Sequence, residues 1–153
     1  MEEIRRRGRA LLPSLLAGSV VGIAAATVTA ALLGASGDVV RSLAPRAVTT
    51  PIAIGIAERV GGLPALSAAV AILTGVLGAV IGPPLLRAVG VRSRTAFGLA
   101  MGAAAHGVGT ARAAEEGEVE AAGSGLAIGL MGVFTAILAP LVLALLVRSG
   151  LLG

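Results

Sequence analysis

Three stretches of the sequence, residues 10–33, 63–86 and 124–147, contain no charged side chain. A helix needs about 20 apolar residues to cross about 30 Å of hydrocarbon. Each stretch is long enough, and uncharged runs of this length are rare in soluble cores. The rest of the composition agrees. Hydrophobic residues make up 56% of the 153 and charged residues only 13%, against about 25% charged in a soluble domain. So little charge does not cover a water-facing surface, which excludes a soluble globular enzyme and equally a disordered chain. The chain has no cysteine and one histidine, His106, so it builds no disulfide framework, no thiolate site and no multi-histidine metal centre. Its 12 basic residues are all arginine, scattered between apolar runs, and Phe97 and Phe134 are the only aromatics. That gives no stacking platform for nucleic acid. No nucleophile–base–orienter set, phosphate loop or metal motif is visible. The chain is therefore expected not to be an enzyme, with no catalytic residue, no cofactor and no metal. Membrane lipid is its expected solvent and first partner.

The three runs predict an all-α, polytopic integral membrane protein with three clean transmembrane helices. Arg5, Arg6, Arg7 and Arg9 precede the first run. They resemble the charged region of a signal peptide, but the apolar run is far longer than the roughly 7–15 residues of such a segment. A retained helix with its basic end in the cytoplasm is the better reading. Arg87, Arg92 and Arg94 mark a second basic loop, also expected to be cytoplasmic. An even number of crossings must separate the two clusters. Residues 41–62 then enter and leave on one side, or the charge rule fails here.

Two further stretches are apolar enough for the membrane but interrupted. In residues 43–59, Pro45 and Pro51 each remove a backbone donor and disfavour helix just before them. In residues 98–112, Gly107 and Gly109 loosen the chain around His106. Irregular backbone at membrane depth is tolerated only when it is buried in protein or lines a wet cavity. Two broken or re-entrant segments therefore point to a cavity where they meet, the arrangement of many transporters. The competing reading is a pair of interfacial loops packed on helices.

Sliding the sequence by 57 positions places Glu58 on Glu115, Ser67 on Ser124, Gly75 on Gly132, Ala79 on Ala136 and Pro83 on Pro140. Thr49 falls opposite His106. Residues 45–91 and 102–148 are thus candidate internal repeats of opposite topology, each a re-entrant segment plus a span.

At these residues the sequence resembles the LrgB/CidB family of bacterial membrane proteins. The resemblance runs through residues 42–53, with Pro45, Arg46, Thr49, Thr50 and Pro51, and through 61–66, 72–79, Gly82 and Pro83. It is most specific at 98–102 and in His106-Gly107-Val108-Gly109-Thr110-Ala111-Arg112-Ala113, followed by Glu115, Glu116 and Glu118. It covers nearly the whole chain as one LrgB-like membrane domain, 1–153. It implies a multi-pass protein of the bacterial plasma membrane, similar to antiholin-like modulators of murein hydrolase activity and autolysis. It also implies transport of small carboxylates, such as pyruvate in bacteria or glycolate and glycerate in plastids. A small holin-like membrane protein of the LrgA type is the implied partner, and a second copy of the chain is a separate candidate partner. Family members carry further helices before the position of Met1, so the chain corresponds to the family's C-terminal two-thirds.

The polar residues at the breaks are the candidate substrate-binding set: Arg46, Thr49, Thr50, Pro51, His106, Gly107, Gly109, Thr110 and Arg112. A charge at a helix centre costs roughly 2.5–3.5 kcal/mol on insertion scales. Arg46 and Arg112 are therefore paired, placed for an anion, or snorkelling to the interface. An arginine fork fits a carboxylate with two bonds, and a broken helix points free N–H groups into its gap. Arg112 also lies three and four residues before Glu115 and Glu116, so plain ion pairing competes with substrate binding. His106 and Glu115 are the candidates for proton coupling or ion pairing, because histidine changes charge near neutral pH. A histidine simply bonded to a carbonyl is the alternative. Thr49 and Thr50 are expected to cap the helix at Pro51, and Glu118 and Glu120 to be solvated. Gly75, Gly78 and Gly82, and Gly125, Gly129 and Gly132, recur at helical spacing and favour close packing, internal or against a partner.

Overall fold

A computed structural model of the chain describes residues 2–150, with side chains from Ala10 onward. The side chains of Arg5, Arg6, Arg7 and Arg9 lie outside the described residues. The described residues form six helices and no strand: α1 (Glu2–Leu32), α2 (Gly37–Leu43), α3 (Thr50–Val60), α4 (Pro64–Ala88), α5 (Arg94–Glu116) and α6 (Glu118–Arg148). Among the described residues three stretches are long and apolar enough to cross a membrane, Ala10–Leu32, Pro64–Ala88 and Glu118–Arg148, as the uncharged runs predict.

The interrupted stretches behave differently from the spans. α2 ends at Leu43 because Pro45 has no N–H to continue the ladder. The chain goes on in tight turns, with Arg46 N–H donating to Leu43 O and Val48 N–H to Pro45 O. Thr49 is extended (φ −63°, ψ 148°), and α3 begins behind it with Pro51 in its first turn. Thr49 stands at the N-cap position, but its hydroxyl makes no capping bond, so the expected side-chain cap is absent. α5 is broken at His106 (φ 41, ψ −124). Beyond it the chain doubles back. A Cβ on Gly109 would collide with the carbonyl of Met101 and lie 2.6 Å from Ala105 Cβ, and Phe97, Met101 and Ala113 form one apolar cluster. On a straight helix, which rises 1.5 Å per residue, Met101 would lie about 12 Å from Gly109 and Phe97 about 24 Å from Ala113. α5 is thus a helical hairpin with arms 94–105 and 107–116.

Ion pairs fix where the hairpin opens. Arg94 grips Glu120 at the start of α6, and Arg87 at the end of α4 holds Glu116. Both ends of α5 therefore lie at one end of the bundle. Leu15 packs with Ala127 and Met131, while Ile23 and Ala30 join Ala139 and Leu143, so α1 runs parallel to α6. The chain's N-terminal end accordingly shares a face with Arg87 and Arg94, and α2 and α3 enter and leave at the opposite face. That is the even-crossing arrangement expected from the two basic clusters.

The packing is inverted relative to a water-soluble protein. α4 buries Ser67, Ala71, Gly75, Ala79 and Pro83, one residue per turn, all small or polar. Its Ile72, Leu73, Val76, Leu77, Val80 and Ile81 face outward. Lipid tails are as apolar as leucine, so close backbone approach and hydrogen bonds, rather than the hydrophobic effect, bring such helices together. Gly98 and Gly102 on α5 leave no room for a Cβ against the carbonyls of Glu120 and Ser124. Gly75, Gly78 and Gly82 likewise sit against His106, Ala105 and Met101, so this predicted glycine stripe serves internal packing. Gly125 and Gly129 meet nothing within 4 Å.

Gly102→Val should therefore force α5 from α6 and lower stability by about 1–3 kcal/mol, whereas Gly125→Ala should stay within about 0.5 kcal/mol of the parent. Thermal unfolding of the two variants in detergent tests this, and equal midpoints would contradict the packing.

Candidate functional site

His106 is the centre of the second break. Its dihedrals are those of the second residue of a type II′ turn, a position glycine usually fills. Positive φ on a residue that carries a Cβ costs of order 1–3 kcal/mol and persists only where neighbours over-determine it. Here the ring does so. It is 5% exposed, and Nε2–H donates to the Ala71 carbonyl of α4 at 2.8 Å. Gly75 makes the space, since a Cβ there would lie 2.6 Å from His106 Cε1. This is the carbonyl-bonded alternative foreseen for a lone histidine.

Behind it, Thr110 donates to the His106 carbonyl at 3.0 Å and its hydroxyl pairs with Ser124 of α6 at 2.7 Å. On the first break, Ser67 of α4 donates to Ala53 O at 3.3 Å, and Ser42 accepts from Leu63 N–H at 2.7 Å. The stretch of α4 from Ser67 to Gly75 thus touches both returning helices. Gly107 has open space around it, whereas Gly109 is closed in by Met101 and Ala105.

A cavity of about 500 Å³ lies beside the first break, between α1, the turn after α2, the first arm of α5 and α6. Among the described residues Arg46 is its one charged lining residue. Ser14, Ser19 and Thr135 supply hydroxyls, and the remainder is apolar, with Gly18 and Gly22 opening the α1 wall. Ser19 and Thr135 are fully buried and share a hydrogen bond at 3.3 Å. The Arg46 guanidinium stands 3.5 Å from the Gly22 carbonyl, at the outer limit of a hydrogen bond. Of the candidate substrate residues, only Arg46 lines this cavity. Thr49, Thr50, Pro51, His106, Gly107, Gly109, Thr110 and Arg112 do not. Ser19 and Thr135 were missed by sequence reasoning, although a hydroxyl inside an uncharged span is itself a signal of a polar interior.

Arg112 belongs to a different cluster. It pairs with Glu115 at 3.2 Å and with Glu116 at 2.7 Å, and Glu116 also takes Arg87 at 2.6 Å. The ion-pair alternative describes its position. Glu120 is not solvated as expected: it is 6% exposed and held bidentately by Arg94 at 2.7 and 2.9 Å. Among the described residues no group of acidic, histidine or cysteine side chains is placed to hold a metal. The Arg87 hydrogen bond, opposed by partial burial and reinforced by Arg112, holds the Glu116 carboxyl below its ordinary value.

The chain is similar to known proteins over most of its length. A model of the LrgB-like family matches residues 1–145. The uncharacterised protein YwbG of Bacillus subtilis is 36% identical over 134 residues, covering 88% of this chain and 60% of that protein. The antiholin-like protein LrgB of Bacillus mycoides is 32% identical over 141 residues, 92% of this chain and 61% of that protein. An uncharacterised protein of Haemophilus influenzae is 29% identical over 146 residues, 95% and 63% respectively. The chain therefore spans about 60% of the length of these relatives. No solved structure matches it.

Two outcomes follow from this geometry. His106→Ala keeps the strained φ and loses the bond to Ala71, so it should lower the unfolding midpoint more than His106→Gly, which relieves the strain by about 1 kcal/mol. A milder alanine variant would contradict the strain. Because the folded Glu116 carboxyl is depressed, its contribution is complete above its unfolded value near 4.5 and fades as pH falls through the lower folded value. Glu116→Gln should flatten that acid-side loss in a pH series of unfolding midpoints.

Proposed function

The chain belongs to the LrgB-like family of membrane proteins, and from that premise we propose that it acts in the bacterial plasma membrane as part of a small-monocarboxylate transporter. The observation that carries this reading is the cavity at Arg46. A single guanidinium in a largely apolar wall supports one carboxylate, and the buried hydroxyls of Ser19 and Thr135 support a neighbouring keto or hydroxyl oxygen. The volume is within the range of small-ligand sites, about 300–1,000 Å³. A dicarboxylate would leave its second charge against apolar walls, at a large desolvation cost, so pyruvate- or glycolate-sized acids fit the chemistry best. His106 and Thr110 enter this reading as the residues that hold the second break, with Arg112 and Glu115 at the mouth of the hairpin.

A second reading has its own observation. Relatives of similar length match carry the name antiholin-like protein LrgB, which supports a regulator of murein hydrolase activity and autolysis acting with a holin-like partner of the LrgA type. The open face of α6, with Gly125 and Gly129 beside exposed Leu126 and Val133, suits such a helix partner.

Uptake of labelled pyruvate by cells expressing the chain with its holin-like partner separates the two. Arg46→Gln should cut uptake at least about tenfold, the loss of roughly 1.4 kcal/mol or more expected when a charge-assisted bond is removed. Arg46→Lys should recover part of it. Unchanged uptake in Arg46→Gln removes the cavity from the path, and lysis control that survives a complete loss of uptake favours the regulator.

A further inference from the structure

The cavity at Arg46 runs from one face of the bundle past its middle and stops there. Its depth follows from α6, which runs from Glu118 to Arg148. Thr135 is bonded to Ser19 of α1 and stands about 22 Å from Glu120 and about 20 Å from Arg148 at 1.5 Å per residue. That hydroxyl pair therefore marks the middle. Ala96 lines one end of the cavity, beside the Arg94–Glu120 pair, because Gly98 lies against the Glu120 carbonyl. Arg46 lines the other end, with its guanidinium at the Gly22 carbonyl, which is about 4–5 Å further along α1 than Ser19. Small residues keep the space between them open: Ala96, Ala100 and Ala103 on the first arm of α5, and Ser14, Gly18 and Gly22 on α1. Beyond Arg46 the path is closed. Ile23 and Ala44 line the inner end of the cavity and also belong to the apolar cluster that holds Val40, Val48, Ala139 and Leu143. All six are buried. Thr27, the next buried hydroxyl along α1, is turned back on the Ile23 and Ala24 carbonyls of its own helix at 2.8 and 3.3 Å, so it offers water no step through the cluster.

We propose that the cavity is a vestibule open to the face that carries Arg87, Arg92 and Arg94, the cytoplasmic one by the charge rule, and that the turn of residues 44–48 closes the carboxylate site from the opposite face. The inference rests on the transport reading for its solute, though not for its route. The guanidinium lies nearer the face of Arg59 and Arg148, yet the opening leads to the other one. A site reached from its far side and shut off from its near side by a thin apolar layer is one half of an alternating-access cycle. The turn has two sides: Arg46 and Ala47 face the cavity, while Val48 packs into the closing cluster. Passage of a solute to the opposite face therefore requires this turn to shift against Ile23 and Leu143. Its short, proline-ended hydrogen bonds, Arg46 N–H to Leu43 O and Val48 N–H to Pro45 O, tie it to α2, so α2 and the turn move as one piece.

The chain contains no cysteine, so single cysteines report directly. Ala47→Cys lies beside Arg46 at the closed end, and Ala100→Cys lies along the route as a second reporter. Leu33→Cys, at a side chain 81% exposed in the turn after α1, marks the opposite face. Each variant is treated with a charged, membrane-impermeant thiol reagent in right-side-out and inside-out vesicles, with and without pyruvate. Ala47→Cys and Ala100→Cys should both react from the face opposite to Leu33→Cys, and half-saturating pyruvate should slow Ala47→Cys about twofold. Reaction of Ala47→Cys from the face of Leu33→Cys, or equally from both faces, overturns the seal. No reaction at Ala47→Cys from either face, in a variant that still unfolds cooperatively, shows a dry or lipid-filled cleft and overturns the route. One-sided reaction without slowing, in a protein that takes up pyruvate, overturns the vestibule as the path of the solute. One-sided reaction in a protein with no pyruvate uptake overturns the transport reading instead.

Discussion

Inside a bilayer no water is available to a broken backbone, so every helix interruption must find its hydrogen-bond partners within the protein. The architecture of this chain follows from that demand at Thr49 and His106. Ser67 on α4 bonds the Ala53 carbonyl behind the first break, while at the second the Ala71 carbonyl of α4 takes the His106 ring and Ser124 of α6 takes the Thr110 hydroxyl. Among the described residues, no buried side-chain nitrogen or oxygen lacks a partner. Serines in otherwise apolar helices thus fasten both return helices to the spans. They are also why α4 and α6 face inward with their least hydrophobic sides.

Partners at hydrogen-bond distance require backbones that nearly touch, and glycine supplies that distance. Gly98 and Gly102 seat the first arm of α5 on the carbonyls of α6, while Gly75, Gly78 and Gly82 seat it on α4. The large side chains have nowhere to go but outward, and in lipid that placement carries no penalty. Close approach in turn makes the strained His106 affordable, because its ring enters the space Gly75 vacates and bonds to a carbonyl that a side chain at 75 would cover.

Much of this is legible in the residues alone. Uncharged length marks the three spans, Pro45 and Pro51 mark the first break, and the arginines mark which loops share a face. The second break is less legible, because Gly107 and Gly109 flag flexibility but not reversal. A bent helix and a hairpin leave the same glycines in sequence, and only the meeting of Phe97 with Ala113 separates them. Arg112 shows a similar ambiguity. Its spacing to Glu115 and Glu116 fits an ion pair equally on a free helix and at a site, and Arg87, far away in sequence, decides the matter by binding the same Glu116 oxygen. Glu120 reads as solvated because nothing nearby in sequence neutralises it; Arg94 does so across the hairpin. The hydroxyls of Ser19 and Thr135 are 116 positions apart, and their pairing depends on α1 running parallel to α6, which no local pattern encodes.

The arginines then fall into two physical groups. Arg87, Arg94 and Arg112 are compensated by carboxylates at the membrane-facing ends of the hairpin, where they fasten both arms to the neighbouring spans. Arg46 faces a cavity whose described lining holds no acidic side chain, with only a long contact to the Gly22 carbonyl. With no acidic side chain in that described lining, its compensation comes from water, lipid headgroup or solute. A small carboxylate supplies a counter-charge with the matching fork geometry, and its apolar remainder suits the walls that water wets poorly. Where the compensating charge is built in, the arginine holds structure; where the described lining leaves it out, as at Arg46, the guanidinium is placed for the carboxylate of the proposed function.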